Sequence, residues 1–187
     1  MNRFVLAAVA SAALMSTASA QSHHQPQAHQ PYAGMQARPI KALSDQQIDD
    51  LKAGRGMGLA LAAELNGYPG PVHVLELADG LGLSDAQRAT MQELFAAMKS
   101  EAVTLGETLI AQEAELDRQF AGRTVTPTSL AESAQAIGAT QAALRAAHLK
   151  YHLSTVDALT HSQVQRYSEL RGYAAGHQPQ HHHGGRH

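Results

Sequence analysis

His148 and His152 stand four residues apart in the stretch AHLKYHLSTVDALTHSQ, Ala147 to Gln163. On a helix that spacing puts both imidazoles on one face, where they can share a metal ion. His73 and Glu76, three residues apart, make a second pair of possible ligands. A donor set of imidazoles and a carboxylate suits Zn, Cu, Ni or Co rather than Ca or Mg. Two ligands on one helix leave a tetrahedral ion incomplete, so the site needs His73 and Glu76 brought alongside. The alternative is that His148 and His152 are ordinary helical side chains. The segment HLKYH has the histidine spacing of a zinc-protease helix but no Glu after its first His, so that chemistry lacks its general base. A nucleophile elbow and a P-loop are both missing from the sequence. Without Cys, the chain has neither thiolate chemistry nor disulfides. These residues point away from an enzyme, and no cofactor is required beyond such an ion.

The elements that would position these groups are helices. Ser44 opens a first helix reaching about Leu65, interrupted by Gly54, Gly56 and Gly58. These glycines imply a kink or a close approach to another backbone. With no strand before them, they do not make a dinucleotide-binding loop. Asn66 to Pro71 reads as a turn, and Pro71 suits the first position of a short helix over 72–78. Met91, Leu94, Met98, Ala102, Leu105, Leu109, Gln112 and Leu116 recur at steps of three and four. They mark one long helix from Ser84 to about Phe120. Leu130, Ala134, Ile137, Gln141, Leu144, His148, Tyr151 and Thr155 mark a second, from Pro127 or Ser129 to about Ala158. Leu149, Leu153 and Val156 widen its apolar face. A last short helix follows Thr160 and stops near Gly172. The fold class is all-α, a long antiparallel hairpin with an N-terminal helix, short flanking helices and no sheet. So thin a hairpin cannot bury both faces alone. The short helices or a second chain must cover it. Within it, His148 and His152 fall near Phe95 to Glu101.

The ends of the chain read differently. Met1 to Ala20 has Asn2-Arg3, an apolar run and Ala18-Ser19-Ala20, the pattern of a signal peptide cleaved after Ala20. The expected address is therefore the periplasm. The stretch 21–41 and the tail 174–187 are rich in His, Gln, Pro or Gly and are expected to be disordered around a single helical domain at 42–173. The tail histidines bind metal weakly whatever their purpose. Without Arg3 the chain holds 13 Lys and Arg against 16 Asp and Glu, which gives no electrostatic footprint for nucleic acid.

Leu83-Ser84-Asp85-Ala86-Gln87 and Leu159-Thr160-His161-Ser162-Gln163 share an L-[ST]-x-x-Q pattern with Leu43-Ser44-Asp45-Gln46-Gln47. Ser or Thr at a helix N-cap, with Gln three residues on, makes a capping box. A purely local role makes Gln163→Ala milder than Thr160→Ala. Two such boxes around a long helical pair resemble the Spy/CpxP family of periplasmic LTxxQ-motif proteins. Ser84 stands where that family usually has Thr. The resemblance implies dimers of bent hairpins and ATP-independent, chaperone-like binding of unfolded periplasmic proteins. Its relatives CnrX and the zinc-responsive ZraP imply an alternative, a heavy-metal sensor or buffer that signals to a membrane-bound partner. CnrX-like proteins place histidines early in the first helix. This chain has none between Ser44 and Asn66, so their site does not carry over intact. A structural or adaptor role is the third reading.

Overall fold

The computed structural model describes residues 32–173. The expected signal peptide, residues 21–31 and the tail 174–187 lie outside the described residues. The compact unit that holds all the described helices begins at Gly34.

After a short 3-10 turn at Met35–Ala37 come six helices: α1 (Asp45–Lys52), α2 (Leu61–Glu64), α3 (Pro71–Glu76), α4 (Asp85–Ala121), α5 (Pro127–Asp157) and α6 (His161–Leu170). No strand occurs among the described residues. The all-α hairpin read from the sequence is the observed architecture. Helix α4 has 37 residues, a rod about 55 Å long. It meets α5 across the short connection Gly122–Thr126. Gln119 faces Ser133 near that turn, while Glu101 faces Lys150 and Tyr151 farther down. Positions rise on one helix as they fall on the other, so the pair is antiparallel.

Capping boxes start α1, α4, α5 and α6. Three are the expected ones at Ser44, Ser84 and Thr160. The fourth pairs Thr126 with Ser129: the Thr126 hydroxyl accepts from the Ser129 N–H at 3.1 Å, and the Ser129 hydroxyl accepts from the Thr126 N–H at 3.0 Å. Thr126 thus fixes the start of α5 at Pro127, the first of the two starts left open by the sequence.

The first helix does not reach Leu65. It stops at Lys52, because Gly54 (φ 64), Met57 (φ 43) and Gly58 (φ 78) take left-handed backbone that a helix cannot hold. The chain crosses the hairpin as a loop and re-forms only the four residues of α2. Lys41 hydrogen-bonds Asp117, Leu51 backs onto Gly106, and Gly54 sits against the Lys99 carbonyl. Residues 41–54 therefore run antiparallel along α4 and cover it.

Ordered chain also begins before Ala42. Ile40 is buried with Leu43, Leu51, Ala102, Leu109, Ile137 and Leu144 in the first of two apolar clusters. A Gln- and Pro-rich average hides the single large apolar side chain that anchors this end. The second cluster joins Val74, Ala78, Leu81, Leu83, Met91 and Tyr167, packing α3 and α6 on the base of α4. On α5 the buried positions are Ile137, Thr140, Leu144, Ala147, His148, His152 and Thr155. Leu130 and Leu153, expected on the apolar face, are exposed instead. No helix among the described residues is long and apolar enough to cross a membrane.

Candidate functional site

Along α4, Met91 belongs to the lower cluster and Ala102 to the upper one. Met98 falls between them, and there the hairpin meets α2, α3 and the glycine loop around a cavity of about 260 Å³. His148, His152, His73, Met98, Met57 and Glu64 all line it. The sequence reading placed the two α5 histidines near Phe95 to Glu101 and close to the short helix, which is where this cavity lies.

Helix α5 presents both histidines inward. His148 is 2% exposed, and its Nε2 is buried without a hydrogen-bond partner. Burial, and secondly the neighbouring His152, hold the His148 pKa below the ordinary histidine value. His148 therefore stays neutral, with an unused ring nitrogen. His152 Nδ1 lies 2.6 Å from the Tyr68 carbonyl oxygen. A carbonyl only accepts, so Nδ1 carries the proton and donates, and Nε2 is the ring nitrogen left for another partner. Gly70 makes room for this ring: a Cβ there would lie 2.9 Å from His152 Cε1.

His73 Nδ1 pairs with Glu76 at 3.1 Å, and both side chains are well exposed. Glu76 does not line the cavity; it lies 3.9 Å from Arg171. The structure thus brings His73, His148 and His152 to one cavity but leaves Glu76 outside it. Short α3 turns Glu76 toward α6 rather than α5. Among the described residues, no three His, Cys, Asp or Glu side chains are placed to hold a metal ion.

The carboxylate that does reach the cavity is Glu64, which sequence reasoning missed. It is 6% exposed. Its Oε1 accepts the hydroxyls of Tyr167 and Tyr173, and its Oε2 accepts the Gly70 N–H at 3.3 Å. Burial, then the bond to Glu64, push the Tyr167 hydroxyl well above its ordinary pKa. A lone acid inside the apolar run LALAAEL was the available signal. Met98 was visible only as a core position, and Met57 was not singled out.

The two boxes of the shared pattern meet at the base of the hairpin. Gln87 Nε2 donates to Gln163 Oε1 at 2.8 Å, and Gln163 Nε2 donates to Gln87 Oε1 at 3.0 Å. Each Oε1 also accepts its own cap's N–H, from Ser84 or Thr160. Each Nε2 also reaches a backbone carbonyl, of Ala158 at 3.1 Å or Leu81 at 3.4 Å. Every polar group of the pair is used, and the start of α4 is tied to the start of α6. The pattern is thus a tertiary clamp as well as a local cap, which reverses the expected ranking of substitutions. Thr160→Ala should cost about 1 kcal/mol, one capping bond. Gln163→Ala strips the cap, the Leu81 carbonyl and the Gln87 amide together, and should cost about 2 kcal/mol. Urea midpoints measure both. A smaller loss for Gln163→Ala than for Thr160→Ala would show that the clamp contributes nothing.

The LTXXQ motif family model matches residues 72–171. That span covers α3 to the end of α6, with both joined boxes and all four histidine-site residues read from the sequence. It leaves out α1, Met57 and Glu64. No curated protein and no solved structure matches the chain.

Proposed function

The chain belongs to the LTXXQ motif family, the family of Spy/CpxP/ZraP-like periplasmic proteins, and from that premise we propose that it is a periplasmic, non-enzymatic holder of unfolded proteins. The observation that supports this reading is an exposed apolar segment, two of whose residues, Met57 and Leu61, also line the cavity. Met57, Leu61, Leu65 and Tyr68 are each more than 40% exposed, four large apolar side chains within twelve residues. Single exposed apolar residues are ordinary on a protein surface, but such a concentration marks a binding surface. They ride on the glycine loop and four-residue α2, an irregular segment held to the body of the protein through Glu64. An apolar surface of this kind retains an unfolded segment without ATP. At a one-to-one ratio the full chain should slow aggregation of a chemically denatured client. A Leu61→Ser/Leu65→Ser double variant should lose most of that effect with its helix content intact. Aggregation at an unchanged rate in a severalfold excess of the wild-type chain would refute the reading.

A second reading, transition-metal binding, is favoured by one specific observation: the buried Nε2 of His148 has no partner and belongs to a side chain lining a cavity. Natural interiors rarely leave such a nitrogen unused. His152 is oriented in the way ligating histidines are, with the second ring nitrogen bonded to a backbone carbonyl.

A further inference from the structure

We infer that the histidine cavity is a site for a soft monovalent metal ion, copper(I) or silver(I), with the thioethers of Met98 and Met57 beside the imidazoles of His148 and His152. The inference rests on the metal-binding reading and names the class of ion. It follows from which donors the cavity has left to offer. Glu64 is the one carboxylate on its lining, and its oxygens already accept from Tyr167, Tyr173 and Gly70. The Glu76 carboxylate is off the lining, and His73 Nδ1 is paired with it. What remains is nitrogen and sulfur: the two α5 imidazoles, the Nε2 of His73 and two methionine sulfurs. Pro71, Val72 and Leu61 make up much of the rest of the wall.

A dication here would have only the Glu64 carboxylate to offset its two charges, and Arg171 Nε, 3.7 Å from Glu64 Oε1, already draws on that carboxylate, so the excess charge is costly in a largely apolar pocket. Zinc adds a demand for four ligands, usually with thiolate or carboxylate among them. Soft thioether donors favour copper(I), whose single charge neutral ligands can accommodate. The same chemistry accounts for the missing triad of His and acidic groups among the described residues, since the sulfurs supply what carboxylates do not. It also gives the cavity methionines a role other than filling space. Met98 is almost fully buried and lines the same cavity as His148, and Met57 is held at φ 43, an unfavourable backbone for a residue of its type.

The absence of cysteine makes a direct test possible. Any sulfur bound to a metal in this chain is methionine sulfur, and neither His-rich stretch, 21–31 or 174–187, contains methionine. X-ray absorption on the full chain loaded with one equivalent of silver(I), or of copper(I) kept reduced with ascorbate, therefore separates the cavity from the tails. The expected spectrum shows sulfur together with imidazole nitrogen in the first shell. Met57→Leu/Met98→Leu, which conserves volume and is tolerated in cores, should remove the sulfur and leave nitrogen. His148→Leu should lower the affinity, with circular dichroism confirming that each variant folds. Sulfur persisting in the double methionine variant would place the ion elsewhere and overturn the inference. A sulfur-free shell in the wild-type chain that still loses nitrogen in His148→Leu would overturn the thioether assignment while leaving the metal reading intact. Spectra and affinity identical in all variants would overturn both.

Discussion

Glu64→Leu should destabilise the fold by about 3–5 kcal/mol, the loss expected when one member of a buried, hydrogen-bonded charged network is removed. Three donors lose their acceptor at once: the Tyr167 hydroxyl, the Tyr173 hydroxyl and the Gly70 N–H. Tyr167 is 1% exposed and Gly70 is buried, so neither donor can turn to bulk water instead. Arg171 Nε, 3.7 Å away, also loses the nearer of its two carboxylates, the other being Glu76 at 3.9 Å. Glu64→Gln keeps the shape and one acceptor oxygen, and a rotating hydroxyl can adjust to it, so that change should cost only about 1–2 kcal/mol. Tyr167→Phe removes one donor and leaves Glu64 with the others, again about 1–2 kcal/mol. The two side chains share one network, so Glu64→Leu/Tyr167→Phe should cost less than the two single changes added together. Urea unfolding followed by circular dichroism provides the numbers. A loss below about 1 kcal/mol for Glu64→Leu would mean that the carboxylate does not hold α2 to α6.

That network shows where the sequence is legible and where it is not. Helix starts are local events, and Ser44, Ser84 and Thr160 announced them through residues three positions apart. The stripe on α4 was readable for a similar reason: Met91, Met98, Ala102 and Leu109 repeat with the helix period and are buried as that period demands. On α5 many small Ala and Thr residues dilute the contrast, so the buried line through Thr140 and Ala147 was blurred and Leu153 was placed inside. The histidine cavity was half legible. The spacing of His148 and His152 gave their shared face, and the hairpin gave their level. Its other wall comes from α2, Gly70 and Met57, which reach it through a loop whose left-handed residues change the chain's direction. Periodicity carries no information about such a change. The Gln87–Gln163 pair was hidden for a related reason. Each Gln had a sufficient local explanation, and only the meeting of two distant helix starts reveals the second role.

Gly106→Ala should destabilise the protein by about 1–2 kcal/mol, although alanine is the better helix former. A Cβ at this position would lie 2.5 Å from the Leu51 carbonyl oxygen and 3.0 Å from its carbon. Those are backbone atoms and cannot rotate away, so α1 and α4 must separate. Overpacking of this kind costs about 1–3 kcal/mol and occasionally more, and the intrinsic gain of about 1 kcal/mol from replacing Gly in a helix offsets only part of it. Gly138 provides the control. It too is inside a long helix, but a Cβ there would meet nothing within 4 Å. Gly138→Ala should therefore stabilise the protein by about 0.5–1 kcal/mol. Opposite signs for the same substitution in two helices would show that close approach of backbones, and not propensity, sets the requirement at Gly106. Equal gains in urea midpoint for both variants would disprove the contact. The consequence reaches the cavity. Leu51 leads directly into the loop that carries Met57 to the cavity and Gly56 to His148. Hydrogen exchange in Gly106→Ala should accordingly quicken first in α1, while the amides of α4 and α5 keep most of their protection.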